Sequence, residues 1–283
     1  MKLASFSPRD GGPLQVGLVE GNGVIALTRL DGAPTTMIDL MRDWEAWETP
    51  VRSLAGATPT HALNDIVLHA PVPRPGKIMG LGLNYADHVS EARIEMPKDQ
   101  LWFAMQATTV NDPYGTIQLP KMSNALDYEG ELVFVIGKRI RHATRAQAKE
   151  AIFGFCCGND VSVRDWQFRT SQFNLGKSFD SHAPMGPWIV TADAIDPHGL
   201  DIRTFVNGEQ RQGSNTRHFI YDCYDQVAHL SQAMTLEPGD IFFTGTPSGI
   251  GSAMKPPRWL RDGDVVRVEI AGIGAIENVV RPE

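Results

Sequence analysis

Short hydrophobic runs separated by turn-forming residues recur along most of the chain, and this pattern predicts many β-strands. The clearest runs beyond residue 75 are KIMGLG, LVFVI, PWIVTA, IFFTG and VVRVEI. Asn207-Gly208 separates two further runs, and this dipeptide is the strongest short signal for a β-hairpin. The pattern therefore predicts a strand-rich protein.

Hydrophobic residues at helical spacing occur in fewer places. Residues 221–234 repeat apolar side chains at this spacing, and residues 37–47 and 146–152 predict two further helices. Because the strands do not alternate regularly with long helices, we expect a β-rich α+β roll or barrel rather than a doubly wound sheet.

Three prolines, Pro71, Pro73 and Pro75, predict a domain boundary. Residues 1–70 combine strand-like pieces with one helix, which predicts a small N-terminal α/β domain. Residues 71–283 then form the larger domain.

Composition excludes several classes of protein. Of the 283 residues, 42% are hydrophobic and 21% are charged, as in ordinary globular proteins. The net charge of −7, without a run of Lys or Arg, argues against binding to nucleic acid. The sequence lacks a signal-peptide pattern and a long apolar segment, so we expect no membrane contact and a cytoplasmic location. The three cysteines are predicted to be buried, reduced thiols.

The stretch ALDYEGELVFVIG, residues 125–137, carries acids at every second position before an apolar run. Alternate residues of a strand share a face, so Asp127, Glu129 and Glu131 are expected to point the same way if the strand extends that far back. A strand that is apolar on both faces is normally buried, and a carboxylate brought toward such a place requires a cation.

Asp160 ends a second apolar run, AIFGFCCGND, and so repeats the same design. Carboxylates without a neighbouring pair of histidines suit a hard cation such as Mg²⁺, Mn²⁺ or Ca²⁺ better than zinc. Lys177, in LGKSFD, is a candidate to balance the remaining negative charge.

Two further stretches leave alternatives open. In MGLGLNYADHVSEA no third glycine follows at the spacing of a dinucleotide-binding turn, whereas His88 and Glu91 lie three residues apart and can share a helical face. Taken alone, such a surface pair usually has no function. IFFTGTPSGIG predicts either a glycine-rich turn whose N–H groups hold an anion or a plain tight turn.

Five motifs occur in a fixed order, namely GLNYADH at 82–88, DYEGEL at 127–132, NDVSVRDWQ at 159–167, GKSFD at 176–180 with GP at 186–187, and GTPSGIG at 245–251. Together they resemble the fumarylacetoacetate hydrolase family over residues 77 to about 280. The resemblance implies a mixed β-roll catalytic domain, usually a homodimer, which holds Mg²⁺ or Mn²⁺.

The resemblance also implies roles for individual residues. The metal ligands would be Glu129, Glu131 and Asp160, with Asp127 just outside the ligand set. The catalytic residues would be His88 and Glu91 on a lid helix, together with Lys177. The substrate contacts would be Gln167, Thr246 and Gln106.

Gln106 marks a departure from the family. FAMQATT stands where many members read FFMKATS, so a neutral amide replaces a lysine. We expect this change at the rim of the pocket to favour substrates whose distal end is uncharged.

The resemblance implies a substrate with a 2-oxo acid end. The leading hypothesis is a metal-dependent hydrolase of acylpyruvate-like or 2,4-dioxo acids, whose pyruvate half leaves as an enolate held at the metal. His88, oriented by Glu91, would activate the water. The alternatives are decarboxylation or tautomerisation of oxaloacetate-like acids, lyase chemistry, and a non-catalytic metal-binding scaffold.

Overall fold

The computed structural model describes residues 1–92 and 95–283, without the side chains of His88 and Ala92, and it is built mainly of strands. The first strands are β1 (Lys2–Pro8), β2 (Gln15–Glu20), β3 (Gly23–Ala26), β4 (His61–Ala62), β5 (Ile66–His69), β6 (Ile78–Gly82), β7 (Leu101–Met105), β8 (Val110–Asn111) and β9 (Ile117–Leu119). The later strands are β10 (Leu126–Asp127), β11 (Gly130–Ile136), β12 (Ile152–Asn159), β13 (Ser162–Val163), β14 (Ala183–Thr191), β15 (Asp201–Val206), β16 (Glu209–Asn215), β17 (Ile241–Phe243), β18 (Val265–Ile270) and β19 (Gly274–Pro282).

The helices are short and sit between the strands. They are α1 (Met37–Arg42), α2 (Trp44–Arg52), α3 (Ala86–Ala92), α4 (Arg145–Ala151), α5 (Arg164–Gln167) and α6 (Cys223–Ala233). The predicted helices at 146–152 and 221–234 are confirmed as α4 and α6. The helix predicted at 37–47 is two helices, because Asp43 leaves the helical conformation with φ −106° and ψ 22°.

The strands form mixed sheets, which confirms the β-rich α+β fold. The largest sheet has the order β4-β3-β2-β1-β14-β12-β11-β17-β6-β7, with β5 beside β1 and β8 beside β14. A second sheet has the order β16-β15-β18-β19-β9, and β10 pairs with β13. Most pairs are antiparallel, whereas β17 runs parallel to β6.

Strand β11 is central and is buried on both faces, as its sequence predicts. Leu132 and Phe134 pack into one hydrophobic cluster, and Val133 and Val135 pack into another. Fully burying one such side chain stabilises the fold by about 1.5–3 kcal/mol. The strand therefore lies between two parts of the core. Its first residues, which include Glu131, lie at the end of the strand where the acids meet.

The N-terminal residues join the large sheet. Lys2 of β1 lies opposite Val190 of β14, and the Ser5 hydroxyl donates to the Pro71 carbonyl at 2.8 Å. The division into domains at residue 70 stays a prediction.

Two other expectations concern the cysteines and the membrane. All three thiols are free and buried, as predicted. Within the described residues, every helix is too short or too polar to cross a bilayer.

The hairpin predicted at Asn207-Gly208 is confirmed. Both residues have positive φ, 52° and 79°, between β15 and β16. Replacing Gly208 by alanine is expected to lower the free energy of unfolding by about 1–2 kcal/mol, because a Cβ is disfavoured in this conformation. Urea denaturation measures the loss. Gly199→Ala is the matched control, since a Cβ there meets nothing within 4 Å and needs no left-handed backbone. An equal loss in the two variants would contradict the conformational explanation.

Candidate active site

Three buried carboxylates converge where two neighbouring strands meet. One oxygen each of Glu129, Glu131 and Asp160 lies within 4.8 Å of the others. Glu129 and Glu131 flank the start of β11, and Asp160 directly follows β12. Gly130 pairs with Asn159 in this ladder, and the amide of Asp160 donates to the carbonyl of Glu129 at 2.8 Å. Strand pairing therefore brings the predicted ligands together.

The side chain of Lys177 completes this cluster. Its Nζ donates to Glu129 Oε2 at 2.8 Å and to Asp160 Oδ2 at 2.6 Å. Burial alone would lower the pKa of Lys177, but the carboxylates of Asp160 and Glu129 raise it above its usual value. The ammonium group is therefore charged and fixed beside the acids.

Arg164 supplies a second buried cation, whose position the sequence did not predict. Its guanidinium lies 2.6 Å from Glu129 Oε1 and donates to Asp127 Oδ2 and Gln167 Oε1, both at 2.9 Å. Both oxygens of Glu129 thus contact cations, one from Arg164 and one from Lys177.

The electrostatics of the cluster fit a divalent cation. The three acids and Asp127 carry four formal negative charges against two positive charges on Arg164 and Lys177, so one divalent ion balances the site. Burial, then Asp160 and Glu129, raises the pKa of Glu131 well above its usual value, and burial raises that of Asp160 to about 6. Asp160 Oδ1 is buried without a hydrogen-bond partner in the described part of the chain, and coordination to a cation would satisfy this oxygen instead.

Asp127 is not one of the three converging acids and meets Glu129 only through Arg164, which corrects the expectation of three acids on one strand face. It belongs to β10, which pairs with β13, and β11 begins only at Gly130. Its oxygens accept from the amides of Gly251 and Ser252 at 2.8 and 3.0 Å. The break after β10 removes the strand alternation on which the expectation depended. As the resemblance implied, Asp127 lies outside the group of three acids that could hold a metal ion.

The glycine-rich turn after β17 does hold anions, but they are carboxylates of the same chain. The amide of Gly245 donates to Glu131 Oε2 at 2.7 Å, and the amide of Gly249 donates to both oxygens of Glu91 at 3.0 and 3.1 Å. Together with the bonds to Asp127, one turn fixes three separate acids. Glycine is required at 251, because a Cβ there would lie 2.2 Å from the carbonyl oxygen of Arg258.

The predicted lid begins with α3. Asn84 anchors the segment before it by donating to the carbonyls of Thr244 and Tyr221 at 2.6 and 3.0 Å. Ser248 donates to Asp87 at 3.0 Å, so Asp87 and Glu91 both dock α3 on the glycine-rich turn. The side chain of His88 lies outside the described part of the structure, so its pairing with Glu91 stays a prediction.

A cavity of about 380 Å³ opens beside the acids. Five of the residues predicted from sequence line it: Glu91, Glu129, Gln167, Lys177 and Thr246. The exposed Gln106 instead lines a separate cavity with Trp166 and Phe179, so the structure does not bring it to this wall.

Thr246 lies on the cavity wall with its hydroxyl engaged. The hydroxyl donates to the Gly130 carbonyl at 3.0 Å and accepts from Gln212 Nε2 at 2.8 Å. Because the single proton of this hydroxyl is already donated to Gly130, the substrate contact that the resemblance implies for Thr246 stays a prediction. Gln212, far from every motif in the sequence, also accepts from the Gly130 amide at 3.0 Å.

A family model described as Fumarylacetoacetate (FAA) hydrolase C-terminal matches residues 77–281. The chain belongs to the fumarylacetoacetate hydrolase family. The match spans every residue of the acid cluster and its cavity.

Relatives within the family differ in their named activities. Oxaloacetate tautomerase Fahd2a, mitochondrial, of Rattus norvegicus is 41% identical, covering 99% of this chain and 91% of the relative. The fumarylacetoacetate hydrolase of Exiguobacterium antarcticum has a TM-score of 0.88 and 35% identity, with both chains covered fully. Maleylpyruvate hydrolase of Sphingobium sp. SYK-6, solved with manganese(II) and pyruvate, has a TM-score of 0.84 and 32% identity, covering 100% of this chain and 99% of that one.

These comparisons support a metal-dependent enzyme of the fumarylacetoacetate hydrolase family, as predicted, and leave the ion and reaction to be assigned. The cytoplasmic location and the homodimer stay predictions, and the rat relative is named as mitochondrial.

Proposed function

We propose that the protein is a divalent-metal-dependent tautomerase that interconverts the keto and enol forms of oxaloacetate. The near full-length match to an oxaloacetate tautomerase, at 41% identity against 32–35% for the two hydrolases, carries this assignment. In the sequence analysis, hydrolysis was the leading hypothesis and tautomerisation was an alternative. The proposal now prefers tautomerisation and uses the same residues.

The reaction moves one proton between C3 and the 2-oxo oxygen while the double bond shifts between C2=O and C2=C3, and no carbon–carbon σ bond is made or broken. Glu129, Glu131 and Asp160 would hold Mg²⁺ or Mn²⁺, which would supply a Lewis acid for the negative charge that develops on oxygen. Lys177, charged and lining the cavity, stabilises the same developing charge from the protein side.

The proton acceptor is assigned to the pair predicted on the lid helix, His88 and Glu91. Glu91 lines the cavity, and the Gly249 amide holds its carboxylate. The hydrogen bonds from Gly249 fix the position of this carboxylate at the cavity, as a group that takes part in proton transfer requires.

Hydrolysis of acylpyruvates is the second candidate. The structural match to maleylpyruvate hydrolase covers the whole of this chain and favours hydrolysis as a candidate. That hydrolase was solved with manganese(II) and pyruvate. The two reactions share an enolate and differ in whether a water attacks a distal carbonyl.

The two reactions can be compared with one purified preparation. We expect Mn²⁺-loaded protein to accelerate ketonisation of enol-oxaloacetate well above the spontaneous rate, measured by loss of ultraviolet absorbance. Pyruvate release from an acylpyruvate, coupled to lactate dehydrogenase, is expected to be much slower. Faster release from the acylpyruvate than ketonisation would make hydrolysis the main reaction, and rapid pyruvate release from oxaloacetate would identify a decarboxylase.

A further inference from the structure

Three phenylalanine rings form a continuous path from Lys177 toward solvent. Lys177 Nζ lies 5.0 Å from the centroid of the Phe103 ring. The Phe103 and Phe173 centroids are 6.2 Å apart with an interplanar angle of 61°, and those of Phe173 and Phe168 are 5.8 Å apart at 83°. All three rings line the cavity, and exposure rises from 6% at Phe103 to 64% at Phe168. We call these three residues the phenylalanine path.

The two cations of the described cavity wall lie at the inner end of this path, where Lys177 and Arg164 both contact Glu129. Both cations already pair with carboxylates of the chain. Leu81, Leu83 and Ile250 add further apolar surface to the wall. Among the described lining residues, the outer cavity therefore offers apolar contacts to a substrate tail and no uncommitted cation.

The cavity is also larger than a four-carbon acid requires. A water molecule takes about 30 Å³ in the liquid. The volume of about 380 Å³ therefore corresponds to roughly a dozen waters. Oxaloacetate, with fewer non-hydrogen atoms than that, fills the end beside the acids and leaves space along the phenylalanine path.

We propose that the same site also tautomerises arylpyruvates, which are 2-oxo acids with an aromatic ring on C3, and that the ring lies against the phenylalanine path. This inference rests on the proposed function, because the step is the same proton transfer. The C3–H bond breaks, the O–H bond of the enol forms as the double bond moves from C2=O to C2=C3, and no co-reactant is consumed. Edge-to-face packing on Phe173 and Phe168 orients the substrate ring while its 2-oxo acid end lies beside Lys177.

The test uses phenylpyruvate as the probe, with the full chain loaded with Mn²⁺. Ketonisation of enol-phenylpyruvate and of enol-oxaloacetate is followed by ultraviolet absorbance, and the ratio of the two kcat/KM values is the readout. Phe173→Ala and Phe168→Ala are each expected to lower the phenylpyruvate-to-oxaloacetate ratio roughly tenfold, mainly through KM for phenylpyruvate. Phe168 is 64% exposed, so its replacement leaves the core intact.

Tyr114→Ala is the matched control, since Tyr114 is an aromatic residue that is 55% exposed and does not line the cavity. Its ratio is expected to stay at the parental value. Ketonisation of oxaloacetate without any acceleration for phenylpyruvate would overturn the inference and leave the proposed function standing. An unchanged ratio in both phenylalanine variants would also overturn it. Failure with both substrates would instead contradict the proposed function.

Discussion

Asp160→Asn is expected to lower Mn²⁺ affinity by about 100-fold or more and to remove most of the tautomerase activity. The change keeps the shape of the side chain but replaces an anionic oxygen ligand with a neutral amide. Changes to residues that only support a metal ligand typically cost 10- to 100-fold in affinity, so loss of a ligand is expected to cost at least as much. Titration with Mn²⁺, read by the electron paramagnetic resonance signal of free Mn²⁺, measures the affinity directly.

Asp180→Asn is the matched control, because Asp180 is exposed and lies outside the acid cluster. It should bind Mn²⁺ as the parent does. Parental Mn²⁺ affinity in Asp160→Asn would show that the ion, if bound, is held elsewhere.

Lys177→Met is expected to lower kcat for oxaloacetate by about 10²- to 10³-fold, the usual cost of losing a donor aimed at developing negative charge. It should also lower the free energy of unfolding by about 3–5 kcal/mol, because Glu129 and Asp160 lose the cation between them. Steady-state kinetics and urea denaturation measure the two effects.

Metal binding gives this variant a distinct signature. Without the ammonium group the buried acids carry one more uncompensated charge, so Mn²⁺ should raise the Tm of Lys177→Met by more than it raises the parental Tm. Lys138→Met, at a lysine whose side chain is 57% exposed, controls for the loss of a positive charge. A smaller rise in Lys177→Met than in the parent would contradict the charge balance of the cluster.

The sequence predicted the acid cluster because each acid sits at the end of a local apolar run. Glu129 and Glu131 are close in the chain, and Asp160 ends the run that becomes the adjacent strand β12. The cost of burying ionised carboxylates predicted a cation beside them. In the structure, pairing of β11 with β12 brings the acids close to one another.

Lys177 was predicted as a partner of these acids, whereas Arg164 and the partner of Glu91 depend on contacts that no local pattern encodes. Arg164 reaches Glu129 across 35 positions of the chain, and the amide of Gly249 reaches Glu91 across 158. Gln106 differs from the acids, because the resemblance placed it at the rim of the active site. In the structure it lines a separate cavity. That expectation came from the resemblance alone, and tertiary packing decides which cavity a side chain at the end of β7 reaches.

The glycine-rich turn shows how one local signal can have a meaning that only the fold supplies. Its amide groups were expected either to bind an anion or to form a plain turn. In the structure they bind Glu131 of the acid cluster, Glu91 of α3 and Asp127 beside Arg164. The turn therefore connects α3 to the acid cluster.

The most direct measurement is the rate of oxaloacetate ketonisation while chelator-treated protein is titrated with Mn²⁺. We expect activity to be lost on chelation, to return in proportion to bound Mn²⁺ and to reach its maximum at one ion per chain, with no recovery in Asp160→Asn. Full activity in the metal-free protein, or equal recovery in Asp160→Asn, would contradict a tautomerase that depends on a divalent ion held by Glu129, Glu131 and Asp160.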